Sequence, residues 1–332
     1  MIVALAGLAA AAVALLAFTA VASRIIEARF PEVGERVVNE PGGAAVHVVE
    51  RPPLARERGA VLLVHGASGN FADLDVALGE RLCALGFRVF AVDRPGHGWS
   101  DRLAGLDAAS PAGQAAAMRA ALARRGVEQA IVVAHSLAGM LGLAMALDAL
   151  QFTRGLVLLA PVSHPWPGGV AWYYRVAASR LLGPAFRRLF VLPAGLASMR
   201  GGVREVFAPN PPPKNYVVAT RLPLVFRPRH FRANAEDVVA AEAHVAALSP
   251  RYATIRVPTA IVTGDHDGVV YAKIHSAGCA RDIPGATLTV LPGVGHSPHH
   301  SAPERVVAAI LEVETRALSE ERRQPGRAPA PA

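Results

Sequence analysis

Apolar residues follow two different patterns along the chain. Residues 2–22 carry no charged side chain, and charges begin only at Arg24 and Glu27. From residue 44 onward, short runs rich in β-branched residues alternate with longer alanine-rich stretches. The first pattern predicts one long apolar helix, and the second predicts strands that alternate with helices.

The first apolar run has the length of a membrane-spanning helix. Residues 2–22 would form a helix about 32 Å long at ~1.5 Å per residue, which matches a hydrocarbon core of ~30 Å. We therefore predict a single-pass anchor over residues 1–23. A cleaved signal peptide is the alternative, because residues 20–22 have the small-x-small form of a cleavage site. The anchor is favoured because the run exceeds the ~7–15 residues typical of a signal peptide.

Basic residues flank the predicted anchor on one side. Arg24, Arg29 and Arg36 all follow the apolar run, and no Lys or Arg precedes it. The positive-inside tendency therefore favours the cytoplasmic face for the main domain slightly over the periplasmic or extracellular face.

The remaining pattern predicts an α/β protein. The predicted strands are residues 46–49, 60–64, 88–92, 130–134, 155–160, 259–263 and 286–291. The predicted helices include residues 74–85, 110–125, 138–150 and 271–283. Fully apolar strands separated by helices indicate a mostly parallel, doubly wound sheet that is covered on both faces.

The alternation stops between Pro161 and Pro258. This stretch is rich in aromatic residues and prolines, which predicts a helical excursion with irregular joints. We therefore predict a core of residues 33–161 and 253–316 with a helical cap over residues 162–250. Residues 319–332 mix Glu, Arg, Pro and Ala and are predicted to be a disordered tail.

Composition and charge exclude several classes of protein. Of 332 residues, 52% are hydrophobic and 18% charged, which allows a sizeable core and argues against a disordered chain. The net charge is +8, but the basic residues are scattered and match no nucleic-acid-binding motif, so no nucleic-acid partner is predicted. Two cysteines, Cys83 and Cys279, exclude a disulfide-rich scaffold and a cysteine-based zinc site but allow one bridge.

Ser136 lies where a predicted strand turns sharply into a predicted helix. Ala134 and Ala138 stand two residues before and after it, and such a turn needs small neighbours. This turn raises the serine Oγ above the sheet and points the helix N-terminus at it. Ser136 is therefore a candidate nucleophile, although a serine that caps a helix would give the same local pattern.

A glycine-rich turn follows the predicted strand 60–64. Its sequence, residues 65–70, is His-Gly-Ala-Ser-Gly-Asn. Backbone N–H groups exposed in such a turn can stabilise an oxyanion, which needs two donors ~3 Å from the developing charge. We expect those donors to be the amides of Ala67 and Leu137.

Two further strand ends supply a candidate acid and base. A serine nucleophile needs a histidine as base, and the histidine needs a carboxylate to fix its tautomer. Asp265 and Asp267 follow strand 259–263, and either aspartate fits this role. His296 lies between Gly295 and Ser297 after strand 286–291. His299 and His300 lie nearby, but two adjacent histidines do not have the usual spacing of metal ligands, so no metal site is predicted.

The order Ser136, aspartate, His296 is the chain order of the α/β-hydrolase triad. The chain resembles the capped, single-domain α/β hydrolases over residues ~33–316. The resemblance rests on five segments in the right order: HGASGN at 65–70, DRPGHGWS at 93–100, AHSLAG at 134–139, GDHDGVV at 264–270 and GVGHSPHH at 293–300. One departure is that alanines replace the two glycines of the usual G-x-S-x-G turn.

The resemblance implies which aspartate is the acid. In the family's G-x-x-D pattern the acid stands three residues after the glycine, which here is Asp267 and not Asp265. The segment 161–164 has no carboxylate, so it does not match a family variant with the acid at that place. In the family, Arg94 and His97 of the 93–100 segment support loops. No cofactor is implied.

The expected activity is hydrolysis of an apolar carboxylic ester or related acyl compound through an acyl-enzyme. Aromatic residues of the cap, Trp166, Trp172 and Tyr173, are predicted to line the substrate pocket. A carbon–carbon bond hydrolase, an acyltransferase and a cofactor-free haloperoxidase or perhydrolase remain alternatives with the same triad. Carbon–carbon hydrolases usually have a tryptophan after the histidine, whereas this chain has Ser297. A non-catalytic ligand-binding protein is disfavoured because all three triad residues are present.

Overall fold

The computed structural model describes residues 1–38 and 43–323, and one eight-stranded sheet forms its centre. The strands are β1 (Glu35–Val38), β2 (Ala45–Arg51), β3 (Gly59–Val64), β4 (Phe87–Val92), β5 (Ala130–His135), β6 (Thr153–Leu159), β7 (Thr259–Gly264) and β8 (Thr287–Leu291). Their order across the sheet is β1-β2-β4-β3-β5-β6-β7-β8. The pairs β1–β2 and β2–β4 are antiparallel, and the other neighbours are parallel. The predicted fold class is confirmed.

Helices connect the strands and flank the sheet. They are α1 (Ile2–Arg29), α2 (Ala72–Leu74), α3 (Glu80–Ala84), α4 (Pro111–Ala123), α5 (Gly139–Asp148), α6 (Trp172–Ala178), α7 (Gly183–Phe186), α8 (Leu192–Phe207), α9 (Tyr216–Ala219), α10 (Pro228–Leu248), α11 (Ser276–Asp282), α12 (Pro298–Ser301) and α13 (Pro303–Arg323). Short 3₁₀ turns span Gly105–Ala108, Ser136–Ala138, Leu222–Phe226 and Ser249–Thr254, and π turns span Asp75–Gly79 and Arg187–Val191.

The central strands are buried on both faces, which is why their sequences are continuous apolar runs. Successive side chains of a strand point to opposite faces. Leu62 and Val64 of β3 pack with α4 and α5 on one face. Val61 and Leu63 pack with α13 on the other face.

Strand β1 was not predicted from the sequence. It is only four residues long, and Val37 is its one buried residue. So short and exposed a strand has no apolar pattern that separates it from a loop.

The predicted C-terminal tail begins too early. Helix α13 continues to Arg323, so the prediction of disorder over residues 319–332 is wrong for residues 319–323. Val306, Ile310 and Val313 anchor this helix on the sheet with apolar side chains at helical spacing. Residues 324–332 lie outside the described residues.

The two cysteines are free thiols, so a Cys83–Cys279 bridge is excluded. Cys83 is buried in the core on the α13 side of the sheet. Cys279 is buried on the opposite side, with α4 and α5. The sheet therefore separates the two sulfur atoms.

Between β6 and β7 the chain forms α6 to α10. We call residues 162–250, the predicted cap, the insert. Its last helix, α10, also belongs to the core, because Val238, Ala241 and Val245 pack with the α5 side of the sheet. The insert is thus joined to the core along one face of α10.

Helix α1 extends beyond the predicted anchor of residues 1–23 and ends at Arg29. Among the described helices, α1 is long and apolar enough to cross a membrane, a property that signal sequences share. Its last turns bury Ile26 and Phe30 against Leu192 and Leu224 of the insert. The C-terminal part of α1 is therefore packed on the globular body.

A buried ion pair joins α10 to the core. Arg94, which follows β4, donates from Nη1 to Asp237 Oδ2 at 2.7 Å, and both side chains are fully buried. Asp237 Oδ1 also accepts a hydrogen bond from Gln114 at 3.0 Å and forms an ion pair with Arg102 at 2.8 Å. Removal of one partner from such a pair leaves an uncompensated buried charge.

We predict that Asp237→Ala lowers the free energy of unfolding by about 3–5 kcal/mol, because Arg94 stays buried without its partner. Urea unfolding of the full chain in detergent measures this change. The control is Asp148→Ala, which breaks an exposed pair with Arg251. The expected cost for the control is at most about 1 kcal/mol. Equal effects of the two substitutions would contradict the assigned role of Asp237.

Candidate active site

Ser136 lies at a strained turn between β5 and α5. Its φ is +54°, in the left-handed region that residues other than glycine rarely adopt. Ala134 and Ala138 on either side are fully buried, so larger side chains would not fit there. The turn directs the hydroxyl away from the strand, as the sequence predicts.

The turn after β3 lies directly against Ser136. A Cβ on Gly66 would lie 2.8 Å from Ser136 Cβ, so this close approach requires glycine. Ala67 follows in the same turn. Leu137 lies in the first helical turn after Ser136, where backbone N–H groups have no partner within the helix. The turn that contains Ala67 and the helical turn that contains Leu137 are therefore both next to the serine.

The structure brings His296 between Ser136 and Asp267. His296 Nε2 lies 2.8 Å from Ser136 Oγ, and His296 Nδ1 lies 2.8 Å from Asp267 Oδ2. The side chains of His296 and Asp267 are almost completely buried. A carboxylate only accepts hydrogen bonds, so Nδ1 carries the proton and Nε2 presents its lone pair to the serine hydroxyl.

The two aspartates after β7 have different surroundings. Asp267 Oδ1 accepts hydrogen bonds from the backbone N–H groups of Val269 and Val270, both at 2.9 Å, and these fix its carboxylate. Asp265 is exposed and bonds to its neighbour His266 at 2.6 Å and to the N–H of Gly293 at 2.7 Å. Asp267 contacts His296, and Asp265 stabilises the turns around it.

Buried groups hold the turn after β3, residues 65–70, in place; we call this segment the oxyanion turn. Arg94 donates to the carbonyl oxygen of Gly66 at 3.3 Å and lies 3.0 Å from His97 Nε2. His65 Nε2 accepts the backbone N–H of Arg94 at 3.1 Å. Burial lowers the pKa of His65 to about 4, so this imidazole is neutral at neutral pH. The segment 93–100 thus supports the loops, as the resemblance implied.

The insert contacts both active-site loops through polar groups. The N–H of His296 donates to Val206 at 3.3 Å, and Asn210 bonds to the N–H of Gly295 at 3.1 Å. On the other side, Asn234 Oδ1 accepts the N–H of Ser68 at 2.7 Å. The insert therefore contacts the histidine loop and the oxyanion turn at once.

Two of the aromatic residues predicted to line the substrate pocket lie at the surface of the insert. Trp172 is 68% exposed and Tyr173 is 37% exposed. Trp166 is partly buried, but its indole N–H donates to the carbonyl of Gly169 at 3.2 Å and its ring faces His275. Trp166 thus packs between the insert and the core, whereas Trp172 and Tyr173 lie at the surface of the insert.

A second polar cluster lies beside Ser136, and sequence reasoning missed it. Asp73 of α2 lies 3.3 Å from His299 Nε2 and 3.1 Å from His300 Nε2, through different carboxylate oxygens. Tyr216 of the insert donates to Asp73 at 3.0 Å. The only sequence signal was the adjacent pair His299-His300, since nothing local connects Asp73 to a residue more than 200 positions away.

The geometry agrees with the match to known families. The sequence profile of the alpha/beta hydrolase family matches residues 61–309. The chain belongs to this family. The profile includes Ser136, Asp267 and His296, together with the insert. The resemblance found from the sequence is confirmed, and the chain is a hydrolase.

Three similar proteins share less than 30% identity with this hydrolase. An uncharacterised protein of Mycobacterium tuberculosis is 27% identical over 265 residues, which cover 76% of this chain and 74% of the relative. An enol-lactonase from Burkholderia xenovorans has a similar structure, with a TM-score of 0.66, 18% identity and coverage of 82% and 97% of the two chains. A thermophilic esterase from Thermogutta terrifontis is also similar, with a TM-score of 0.62 and 21% identity. The match covers 86% of this chain and 98% of the esterase. At these identities the two structures show the shared fold.

We predict that Asp267→Asn lowers kcat about 10³–10⁴-fold, because an amide favours the wrong tautomer of His296. Asp265→Asn is the matched control, and we expect less than a tenfold change because Asp265 contacts only turns. Steady-state kinetics on a p-nitrophenyl ester measure both effects. A larger loss with Asp265→Asn would show that the wrong carboxylate has been assigned.

Proposed function

We propose that this hydrolase cleaves carboxylic esters or related acyl compounds of apolar character, with Ser136 as nucleophile, His296 as base and Asp267 as acid. The observation that carries the proposal is the hydrogen-bonded series Ser136–His296–Asp267, with 2.8 Å at each contact. The left-handed backbone at Ser136 and the close approach of Gly66 support it, because both are needed to place a nucleophile beside an oxyanion site.

Each group has a definite part in the proposed reaction. His296 Nε2 takes the proton of Ser136, and Oγ attacks the substrate carbonyl carbon while the carbonyl π electrons move to oxygen. The N–H groups of Ala67 and Leu137 stabilise this oxyanion. The tetrahedral intermediate collapses, and the leaving alcohol takes the proton from His296.

Water completes the cycle on the acyl-enzyme. His296 Nε2 removes a proton from water, and the resulting hydroxide attacks the acyl carbon. Collapse of the second intermediate releases the acid and returns the proton to Ser136. Asp267 remains ionised throughout and stabilises the imidazolium of His296.

The main test is covalent labelling with a fluorophosphonate probe. We expect the wild-type chain to be labelled and Ser136→Ala to be unlabelled, with at least ~10³-fold lower esterase activity. A panel of p-nitrophenyl esters of increasing chain length then measures the substrate preference, and added alcohols reveal any acyl transfer. Near-normal turnover by a folded Ser136→Ala variant would disprove the proposed nucleophile.

We also propose that α1 anchors the hydrolase in a membrane. Apolar side chains such as Val13, Val21 and Ile25 are exposed along its outer face. On the inner face, Ile26 is buried against the insert, and Glu27 accepts a hydrogen bond from the buried Arg227 at 2.8 Å. A bilayer that covers the outer face as far as Ile25 therefore reaches the insert as well.

The surface of the insert fits this location. Leu181, Leu182 and Phe190 are exposed, and Phe190 belongs to the π turn Arg187–Val191 that packs near α1. Residues 172–207 contain six arginines and a single acidic residue, Glu205. Apolar side chains among arginines suit the headgroup region of an anionic membrane. The insert is thus proposed to lie at the bilayer surface, above the active site.

Spin labels on the full chain in anionic vesicles test this arrangement. Val13, Leu182 and Leu54 are similarly exposed, at 65%, 65% and 69%, and the native thiols are buried. Leu54 lies near the amino ends of the parallel strands, away from the insert. Labels on Val13→Cys and Leu182→Cys should be reached by oxygen rather than by a water-soluble nickel complex, and the label on Leu54→Cys by both. If the nickel complex reached the label at position 182 but not the label at position 13, the proposed contact between the insert and the bilayer would be refuted. The proposal that α1 is a membrane anchor would stand.

A further inference from the structure

The cluster around Asp73 has the composition of a metal site. We define the Asp73 cluster as Asp73, His299 and His300 together with His135, the residue before Ser136. One donor atom from each of Asp73, His299 and His300 lies within 4.8 Å of the others. Asp73, His135 and His299 are buried, and the side chain of His300 is only 4% exposed. The donors are two imidazole nitrogens and a carboxylate, a ligand set typical of zinc.

His135 supplies an observation that hydrogen bonding inside the cluster does not explain. Its Nε2 lies 3.0 Å from the carbonyl oxygen of His296. A carbonyl oxygen only accepts, so Nε2 carries the proton and Nδ1 has a free lone pair. His135 Nδ1 is buried, has no hydrogen-bond partner and lies 3.8 Å from Asp73 Oδ2. An unpartnered acceptor therefore lies beside a carboxylate oxygen, and a metal ion or a bridging water molecule is the kind of group that would satisfy both.

We propose that the Asp73 cluster binds one divalent transition-metal ion, with zinc as the natural occupant, through Asp73, His299 and His300. His135 Nδ1, which lies 3.8 Å from Asp73 Oδ2 and outside this group of three, is proposed to move in as a fourth donor when the ion binds. Ligand bonds of ~2.0–2.2 Å in a tetrahedral site place neighbouring donor atoms about 3.3–3.6 Å apart. From Asp73 Oδ2, His299 Nε2 lies at 3.3 Å and His135 Nδ1 at 3.8 Å, while His300 Nε2 lies 3.1 Å from Oδ1. Two of these contacts are thus close to the tetrahedral spacing, and His135 is somewhat beyond it. Imidazole donors favour zinc over magnesium or calcium.

The bond from His135 to the His296 carbonyl fits the same site. Metal-binding histidines commonly donate their second ring N–H to a backbone carbonyl, which fixes the tautomer and ring orientation. Here that carbonyl belongs to the proposed catalytic base. An ion in this place would connect α2, the end of β5 and α12. Its role is structural, because the proposed acyl transfer uses other atoms. The proposed site differs from the sequence-based expectation of no metal, which did not include Asp73.

The rival explanation is a metal-free network in which His299 and His300 donate directly to Asp73. A metal titration distinguishes the two explanations. The full chain is purified in detergent, stripped of metal with a chelator and titrated with Co²⁺ and Zn²⁺. We expect one ion per chain, visible absorption bands of tetrahedral cobalt and an increase in Tm with zinc. The metal-free network predicts neither binding nor a change in Tm.

Two variants separate metal ligation from hydrogen bonding. His300→Gln retains an N–H donor toward Asp73 but removes a good metal ligand, and we expect at least ~10²-fold weaker metal binding. His266→Gln is the matched control, since His266 is exposed and contacts Asp265 outside the cluster. We expect it to bind like the wild type. Equal binding by both variants would assign the metal to another site and refute the proposal.

The wild-type titration decides the proposal even where a variant does not fold. A folded, stripped wild type that takes up neither cobalt nor zinc overturns it. Fluorophosphonate labelling of the same samples keeps the result separate from the proposed hydrolase activity. Labelling without metal binding leaves the active site intact and removes only the metal site.

Discussion

The parallel register of the central strands is the constraint on which the active site depends. Val64 of β3 pairs with Ala134 of β5, so the oxyanion turn and the serine turn begin at the same level of the sheet. Gly264 of β7 pairs with Leu291 of β8, so the aspartate and histidine loops begin together as well. Because parallel strands share one carboxyl edge, four loops distant in sequence converge there. The hydrogen bonds that connect Ser136 to Asp267 through His296 depend on that convergence.

Buried polar groups convert this convergence into a fixed geometry. Arg94 contacts the oxyanion turn, and its partner Asp237 belongs to α10 of the insert. Asn210 and Asn234 of the insert bond to the histidine loop and the oxyanion turn. Breaking such pairs is costly in a medium of low dielectric constant. The insert is therefore coupled to the position of the reacting groups through the two loops that it contacts.

The N-terminal helix extends this coupling to the edge of the molecule. Ile26 and Phe30 of α1 share one apolar cluster with Leu192 and Leu224 of the insert. The proposed membrane anchor is thus packed on the same insert that bonds to the histidine loop and the oxyanion turn.

The sequence alone determined the parts of this protein that depend on local patterns. Continuous apolar runs predicted seven of the eight strands, and small residues around Ser136 predicted the sharp turn, because burial and turn sterics act on neighbouring residues. Choosing Asp267 over Asp265 required a family pattern. The short strand β1 was missed because it buries only Val37.

Tertiary structure alone decided which distant side chains meet. It separated Cys83 from Cys279, exposed Trp172 and placed Asp73 beside His299. Residue type and spacing do not specify on which face of the sheet a side chain lies. They also do not specify which distant side chain it contacts there. That choice follows from the packing of whole elements against one another, where the energy of a contact depends on residues far apart in the chain.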